Sequence, residues 1–384
     1  MKPFKIFLAM VLVIVLSSSY AHSKQAKGMH RTYNIGVFLP ITGPLKSLGE
    51  KQREGITLAN ILRPYADGHK IRLIFKDTRC DPRHTSEIVF KLIKDYRPLC
   101  LIGGVTSDDA LPAIKLATKF KVPVVITTAT SPLIMGDSDY TWRVCPSDSL
   151  RAKVCANLVM HKTDNGKVAL IVDQYRYSSI MLASALASKI IKYGGSIVTV
   201  SFIKTGQKDF IPLMASILAG GSEAVFLAAP AKESALIING ARKRGINIPF
   251  FLADIFQESI LLSHLNKNVS NVYVITDYRQ GDTHSQIGKK FSMLFKKQVG
   301  GYRFDSSVAL AADAYLMATD AINIMLAGKT KDIKAAFSMI TGDKYICSNI
   351  VMKPTGDPVR PLFVSIIKNK RLNYVESVYI DTYK

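Results

Sequence analysis

A short β-rich apolar run followed by a helical stretch repeats along this chain, stops, and starts again, and that rhythm limits the available folds more than any other feature. Tyr33 to Leu39, Ile71 to Phe75, Leu99 to Ile102 and Val122 to Thr127 read as strands. Leu45 to Leu62, Pro82 to Tyr96 and Asp108 to Lys119 read as the helices between them. The strands are too apolar to be half exposed, which is the pattern of a parallel sheet covered on both faces. Ser147-Asp148 then offers a cap for a helix over Leu150 to His161. A second series follows: strands at Val168 to Val172, Ile197 to Phe202, Ala224 to Ala228 and Phe250 to Leu252, and helices at Ser179 to Tyr193, Phe210 to Ala219 and Glu233 to Arg244. The last third is less regular, with a long helix over Asp305 to Leu326 and strands at Leu362 to Ile367 and Tyr374 to Tyr379. The chain is therefore expected to be α/β, with two Rossmann-like lobes. No low-complexity linker separates the halves, so several crossings between packed lobes are expected. In such sheets ligands bind beyond the carboxyl ends of the strands, so two facing lobes would share one cleft.

The N-terminus reads as a targeting segment. Lys2 and Lys5 precede an apolar run from Ile6 to Leu16, followed by small residues at Ala21 and Ser23. A signal peptide of residues 1–23 with a periplasmic mature chain is expected, cleaved after Ser23 or Ala21; an uncleaved anchor is the alternative. No cysteine near the cleavage site suggests a lipoprotein.

The formal charge is +22, and removing Lys2 and Lys5 leaves 49 basic against 29 acidic residues, still +20. The Lys and Arg residues are spread without a run, so they read as a solvated surface, and no nucleic-acid partner is expected. The five cysteines, Cys80, Cys100, Cys145, Cys155 and Cys347, form no C-x-x-C pattern and no cluster with histidine. Neither a metal nor a cofactor is expected. Gly328-Lys329-Thr330 follows a helix, not a strand, and the earlier glycine of a phosphate loop is Asn323. No G-x-S-x-G or H-E-x-x-H occurs. Nothing points to catalytic residues, and the chain reads as a non-enzyme.

The loops after the strands carry a distinctive series. Thr42-Gly43-Pro44 follows the first strand, Asp77 to Pro82 the second, Ile102 to Ser107 the third and Thr127 to Pro132 the fourth. Trp142 to Asp148 precedes the restart, Asp173 to Ser178 follows the first strand of the second lobe, and Ala312 to Tyr315 lies in the long helix. In order and spacing this set resembles the Leu/Ile/Val-binding family of type I periplasmic binding proteins over essentially the whole mature chain. The resemblance implies a type I periplasmic-binding-protein fold with a three-crossing hinge. The N-terminal lobe would comprise residues 30–146 plus about 278–348, and the C-terminal lobe residues 147–277 plus about 349–384. It implies a monomeric solute-binding component of an ABC importer, with an ABC permease as partner and an amino acid, branched-chain or similar, as the small-molecule ligand. A ligand sensor or envelope regulator of the same fold is the alternative.

The resemblance also implies roles for residues. Ser107 matches a carboxylate-binding serine, and its place before a helix suits anion binding; an ordinary N-cap is the alternative. Thr130 matches a threonine contacting both ligand carboxylate and ammonium, or is a turn hydroxyl. A loop carbonyl near Thr128 or Ala129 matches an acceptor for the ammonium. Asp254 matches the second-lobe acid that pairs with the ammonium, or caps a helix at Gln257 to Leu262. Tyr177 matches an aromatic lining the cleft, or lies on the surface. Leu48 stands where a covering tryptophan is found, and Pro230 near a cleft tyrosine. Asp108 and Asp109 are expected to point away from the anion site. Cys80 matches half of a first-lobe disulfide whose partner position is Thr106, so Cys80 is expected to be unpaired; a Cys145–Cys155 bridge is left open.

Overall fold

The computed structural model describes residues 31–136, 138–253, 257–279, 285–300, 304–342 and 345–379. The expected signal peptide at 1–23 and the cleft acid Asp254 lie outside these residues.

The first sheet is built from β1 (Thr32–Leu39), β2 (Tyr65–Ala66), β3 (His69–Asp77), β4 (Cys100–Gly103), β5 (Val124–Ile126) and β6 (Thr141–Arg143) in the order β2-β3-β1-β4-β5-β6. Only β2 is antiparallel to its neighbour. It is flanked by α1 (Lys46–Leu62), α2 (Pro82–Tyr96) and α3 (Ser107–Phe120). The second sheet takes β7 (Lys167–Asp173), β8 (Ser196–Ile203), β9 (Ala224–Ala228), β10 (Phe250–Leu252) and β11 (Val272–Thr276) in parallel. Its helices are α4 (Asp148–Lys162), α5 (Tyr177–Lys192), α6 (Ile211–Ala219), α7 (Ala231–Lys243) and α8 (Glu258–His264).

The chain then returns to the first lobe as α9 (Gln286–Val299), α10 (Ser306–Leu326) and α11 (Ile333–Ser338). A small antiparallel sheet of β12 (Thr341–Gly342), β13 (Ile350–Met352) and β14 (Pro358–Val359) follows. The chain ends on β15 (Leu362–Lys368) and β16 (Arg371–Val378), which extend the second sheet antiparallel in the order β16-β15-β11-β10-β9-β7-β8. It thus passes between the two sheets three times: after β6, after β11 and after β14.

Helix α10 is long and apolar enough to cross a membrane by composition, yet its most apolar stretch is 78 % buried. It is the core helix of the first lobe. It lies alongside α1 with unusually close backbones, because a Cβ on Gly55 would stand 2.3 Å from the Val308 carbonyl oxygen. Asn60 Nδ2 to the Tyr315 hydroxyl at 2.7 Å and Arg63 to Asp320 at 2.6 Å hold the far ends together.

The diffuse basic charge is not wholly a solvated surface, which corrects that expectation. Arg143, Arg151 and Arg360 are each about 1 % exposed or less at the side chain and sit beside the crossings. Arg360 donates to Asp313 on α10 at 2.9 Å and to the Val144 carbonyl at 2.8 Å, so one guanidinium joins two crossings to the core helix. Arg151 on α4 forms a two-pronged pair with Asp277, both contacts at 2.7 Å, which fixes the second crossing, just after β11, against the second lobe. A guanidinium suits these places because it is weakly hydrated and directs several donors at once. All five cysteines are free thiols.

Candidate functional site

The strand-end loops of the first lobe turn toward the second. Strand β4 ends at Gly103, and Gly104 has φ +72°, where a side chain would be strained and would press on Ile126 and Ala110. That turn delivers Thr106 and Ser107 to the start of α3. Thr106, not Ser107, is the N-cap: its hydroxyl accepts from the Asp109 amide at 3.3 Å, and the helix opens at Ser107. The expected helix start at Asp108 and the N-cap alternative for Ser107 are corrected accordingly. Freed from capping, the Ser107 hydroxyl accepts the Ser131 amide at 3.3 Å and keeps its proton to donate elsewhere.

The loop after β5 is held by a residue that sequence reasoning missed. Gln52 on α1 is fully buried; its Nε2 donates to Thr128 Oγ1 at 2.8 Å and its Oε1 accepts from Thr127 Oγ1 at 2.7 Å. The Thr128 hydroxyl in turn donates to the Val105 carbonyl at 2.9 Å. The Thr128 hydroxyl is thus spent on architecture, leaving main-chain groups for any ligand. The Ala129 carbonyl accepts the Cys145 thiol at 3.4 Å and retains a second lone pair. Arg143 grips the Thr130 and Ser131 carbonyls at 3.0 and 3.1 Å.

Leu48, Val105, Thr106, Ser107, Thr128, Ala129 and Thr130 from one lobe, with Arg176 and Ser178 from the other, line a narrow recess between the lobes. Five of the seven expected ligand residues therefore share one hollow. Tyr177 is half-buried and does not line it; its neighbours Arg176 and Ser178 do. Helix α5 begins at Tyr177, two residues earlier than expected, which sets a different phase for its first turn. Asp254 lies outside the described residues. Arg176 was not anticipated.

Acids near the recess are exposed to solvent or buried with raised pKa values. Asp108 is exposed. Asp109 accepts a hydrogen bond from Thr85, and burial pushes its pKa up to about 6. Asp148 at the start of α4 is fully buried behind Thr130, and burial raises its pKa. The Thr130 hydroxyl opposes that rise electrostatically, but neither Asp148 oxygen reaches hydrogen-bond geometry with a partner among the described residues. No group of three or more His, Cys, Asp and Glu residues arranged for a metal occurs among the described residues.

The lobes also meet beside the recess. Glu258 on α8 of the second lobe is fully buried against the N-terminus of α10 in the first, accepting the Ser306 amide at 3.0 Å and bonding the Ser306 hydroxyl. Asp305 accepts the Ser259 amide at 2.9 Å and its hydroxyl at 2.6 Å, and pairs with Lys51 of α1. Burial, and then the Asp305 carboxylate, push the Glu258 pKa up to about 8. Buried in this interlobe contact, Glu258 holds a proton that the solvated acid releases. By linkage, the stability Glu258 lends closure is present near its ordinary value and is lost as pH rises toward about 8. The melting temperature is expected to fall as pH rises from about 4.5 to about 8, and Glu258→Gln to flatten that slope in a calorimetric scan.

A model of the periplasmic binding protein family matches residues 32–371. The chain belongs to this family. Its location is accordingly extracytoplasmic, and its relatives are solute-binding proteins. It is 25 % identical over 254 residues to an amino acid binding protein of Pseudomonas aeruginosa, covering 65 % of this chain and 67 % of that one. It is 28 % identical over 216 residues to a Leu/Ile/Val-binding protein homolog of Brucella melitensis, covering 55 % and 58 %. In fold it is similar to a leucine binding protein from Thermotoga maritima, with a TM-score of 0.81 at 23 % identity, covering 91 % of this chain and 99 % of that one. A solute binding protein from R. palustris in complex with 4-hydroxybenzoate has a TM-score of 0.77 at 19 % identity, covering 91 % and 96 %. The type I periplasmic-binding-protein fold expected from the loop series is the fold observed.

Proposed function

We propose that the chain is the solute-binding component of an ABC importer and closes its two lobes on an amino acid. The observation that carries this reading is the interlobe recess that joins Leu48, Ser107, Thr128, Ala129 and Thr130 at the N-terminus of α3. The Ser107 proton and the first amides of α3 are free to receive a carboxylate. Thr130 and the neighbouring loop carbonyls supply acceptors for an ammonium, and Asp254 is proposed to add its carboxylate from the second lobe. Tyr177 is proposed to approach the ligand only if the lobes shift relative to each other. Closure excludes water and so strengthens each ionic contact. The closed form is what a membrane permease would recognise. The leader at 1–23 would be removed on export, and the mature protein would act as a monomer in the periplasm.

Titration calorimetry of the mature chain with a panel of amino acids tests the reading, with the branched-chain members included because the relatives carry those names. Saturable heat with at least one zwitterion is expected. Binding of uncharged amides with no heat from any zwitterion contradicts it.

A further inference from the structure

Arg176 is the feature of the recess that a branched-chain ligand leaves unexplained. It stands immediately before α5 and faces Ser107 and Thr130 across the gap between the lobes. It also lines a second, tight recess together with Ser179 and Leu182 of α5 and Leu227, Ala228 and Ala229 at the end of β9. Among the described residues its guanidinium makes no hydrogen bond or ion pair. The two acids nearest the opposite helix do not serve it: Asp109 is turned to Thr85, and Asp108 points to solvent. Two helix N-termini, those of α3 and α5, add positive potential to the same hollow, and no carboxylate lines it among the described residues. A simple zwitterion brings one carboxylate, which the Ser107 end absorbs. A half-buried guanidinium at the other end calls for a second anion, and a carboxylate matches its fork of donors best.

Resting on the amino-acid reading, we infer that the ligand carries a second carboxylate, as an acidic amino acid does, and that Arg176 receives it. Arg176 is then the residue that sets specificity.

Calorimetry with L-glutamate, L-aspartate, succinate and L-leucine on the mature chain, on Arg176→Ala and on Arg176→Lys tests this. The acids are expected to bind more tightly than leucine. Arg176→Ala is expected to weaken the acids at least about tenfold more than it weakens leucine, the loss of a charge-assisted contact. Arg176→Lys should recover part of the loss. A matching melting temperature for each variant shows that folding is intact. Leucine binding more tightly than either acidic amino acid, or acid affinity unchanged in Arg176→Ala, overturns the inference and leaves the amino-acid reading standing. Succinate bound through Arg176 with no heat from any amino acid supports a two-carboxylate ligand and removes the zwitterion instead. No heat from any of the four overturns both.

Discussion

Ser107→Ala is expected to bind its amino acid about ten- to hundredfold more weakly while melting close to the parent temperature. A hydrogen bond to a charged group contributes about 1.5–3 kcal/mol, which is that range in affinity. The hydroxyl has little architectural work to lose, since its one hydrogen bond among the described residues is the long 3.3 Å bond from the Ser131 amide. Thr106→Ala is the matched control. Thr106 caps α3, so its loss is expected to cost about 1 kcal/mol of stability. Ser107→Ala should move affinity and spare stability, and Thr106→Ala should do mainly the reverse. Calorimetry and urea unfolding on both variants read the two quantities separately. Equal affinity in the parent and in Ser107→Ala would place the carboxylate elsewhere.

The largest stability effect is expected at Arg151. Its pair with Asp277 is about 1 % exposed on both sides, and its guanidinium also donates to the Ala253 carbonyl at 3.1 Å. Arg151→Met strands the Asp277 carboxylate in the interior, and breaking a buried pair in this way costs about 3–5 kcal/mol. Removing both partners is different, because a buried pair replaced by apolar groups of similar size is often close to neutral. Arg151→Met with Asp277→Leu is therefore expected to recover most of the loss in urea unfolding. Failure of the double variant to recover would show that the pair does more than satisfy itself, through its place at the crossing between the lobes.

Most of the architecture was legible because buried parallel strands write themselves as apolar runs. The helix over Pro82 to Tyr96 was readable to the residue: Asp81 accepts from the Arg83 and His84 amides, proline opens the helix, and Arg97 ends it in a left-handed conformation. The irregular last third was not legible. Strands β12, β13 and β14 have two or three residues each, too short for any periodicity to register. Strand β11 and helix α9 fell in the same stretch. At the site, five residues that the loop series singled out line the recess, but helix starts and caps differ by one or two positions from those read. Thr106 and Ser107 are adjacent hydroxyls, and only coordinates decide which of them caps α3. Tyr177 and Arg176 show the same ambiguity in the second lobe, where the start of α5 determines which side chain faces the recess. Gln52 and the buried arginines were missed for a different reason. Polar residues far apart in sequence give no local sign that they will be buried together, so diffuse charge read as surface when part of it braces the crossings.

A ligand carboxylate is expected between the lobes at the opening of α3. A crystal structure of the mature protein with its bound amino acid tests this most directly. The ligand carboxylate is expected within hydrogen-bond reach of the Ser107 hydroxyl and the first amides of α3, with groups of the second lobe closing over it. A ligand held in another hollow, or one whose carboxylate lies away from Ser107, would contradict it.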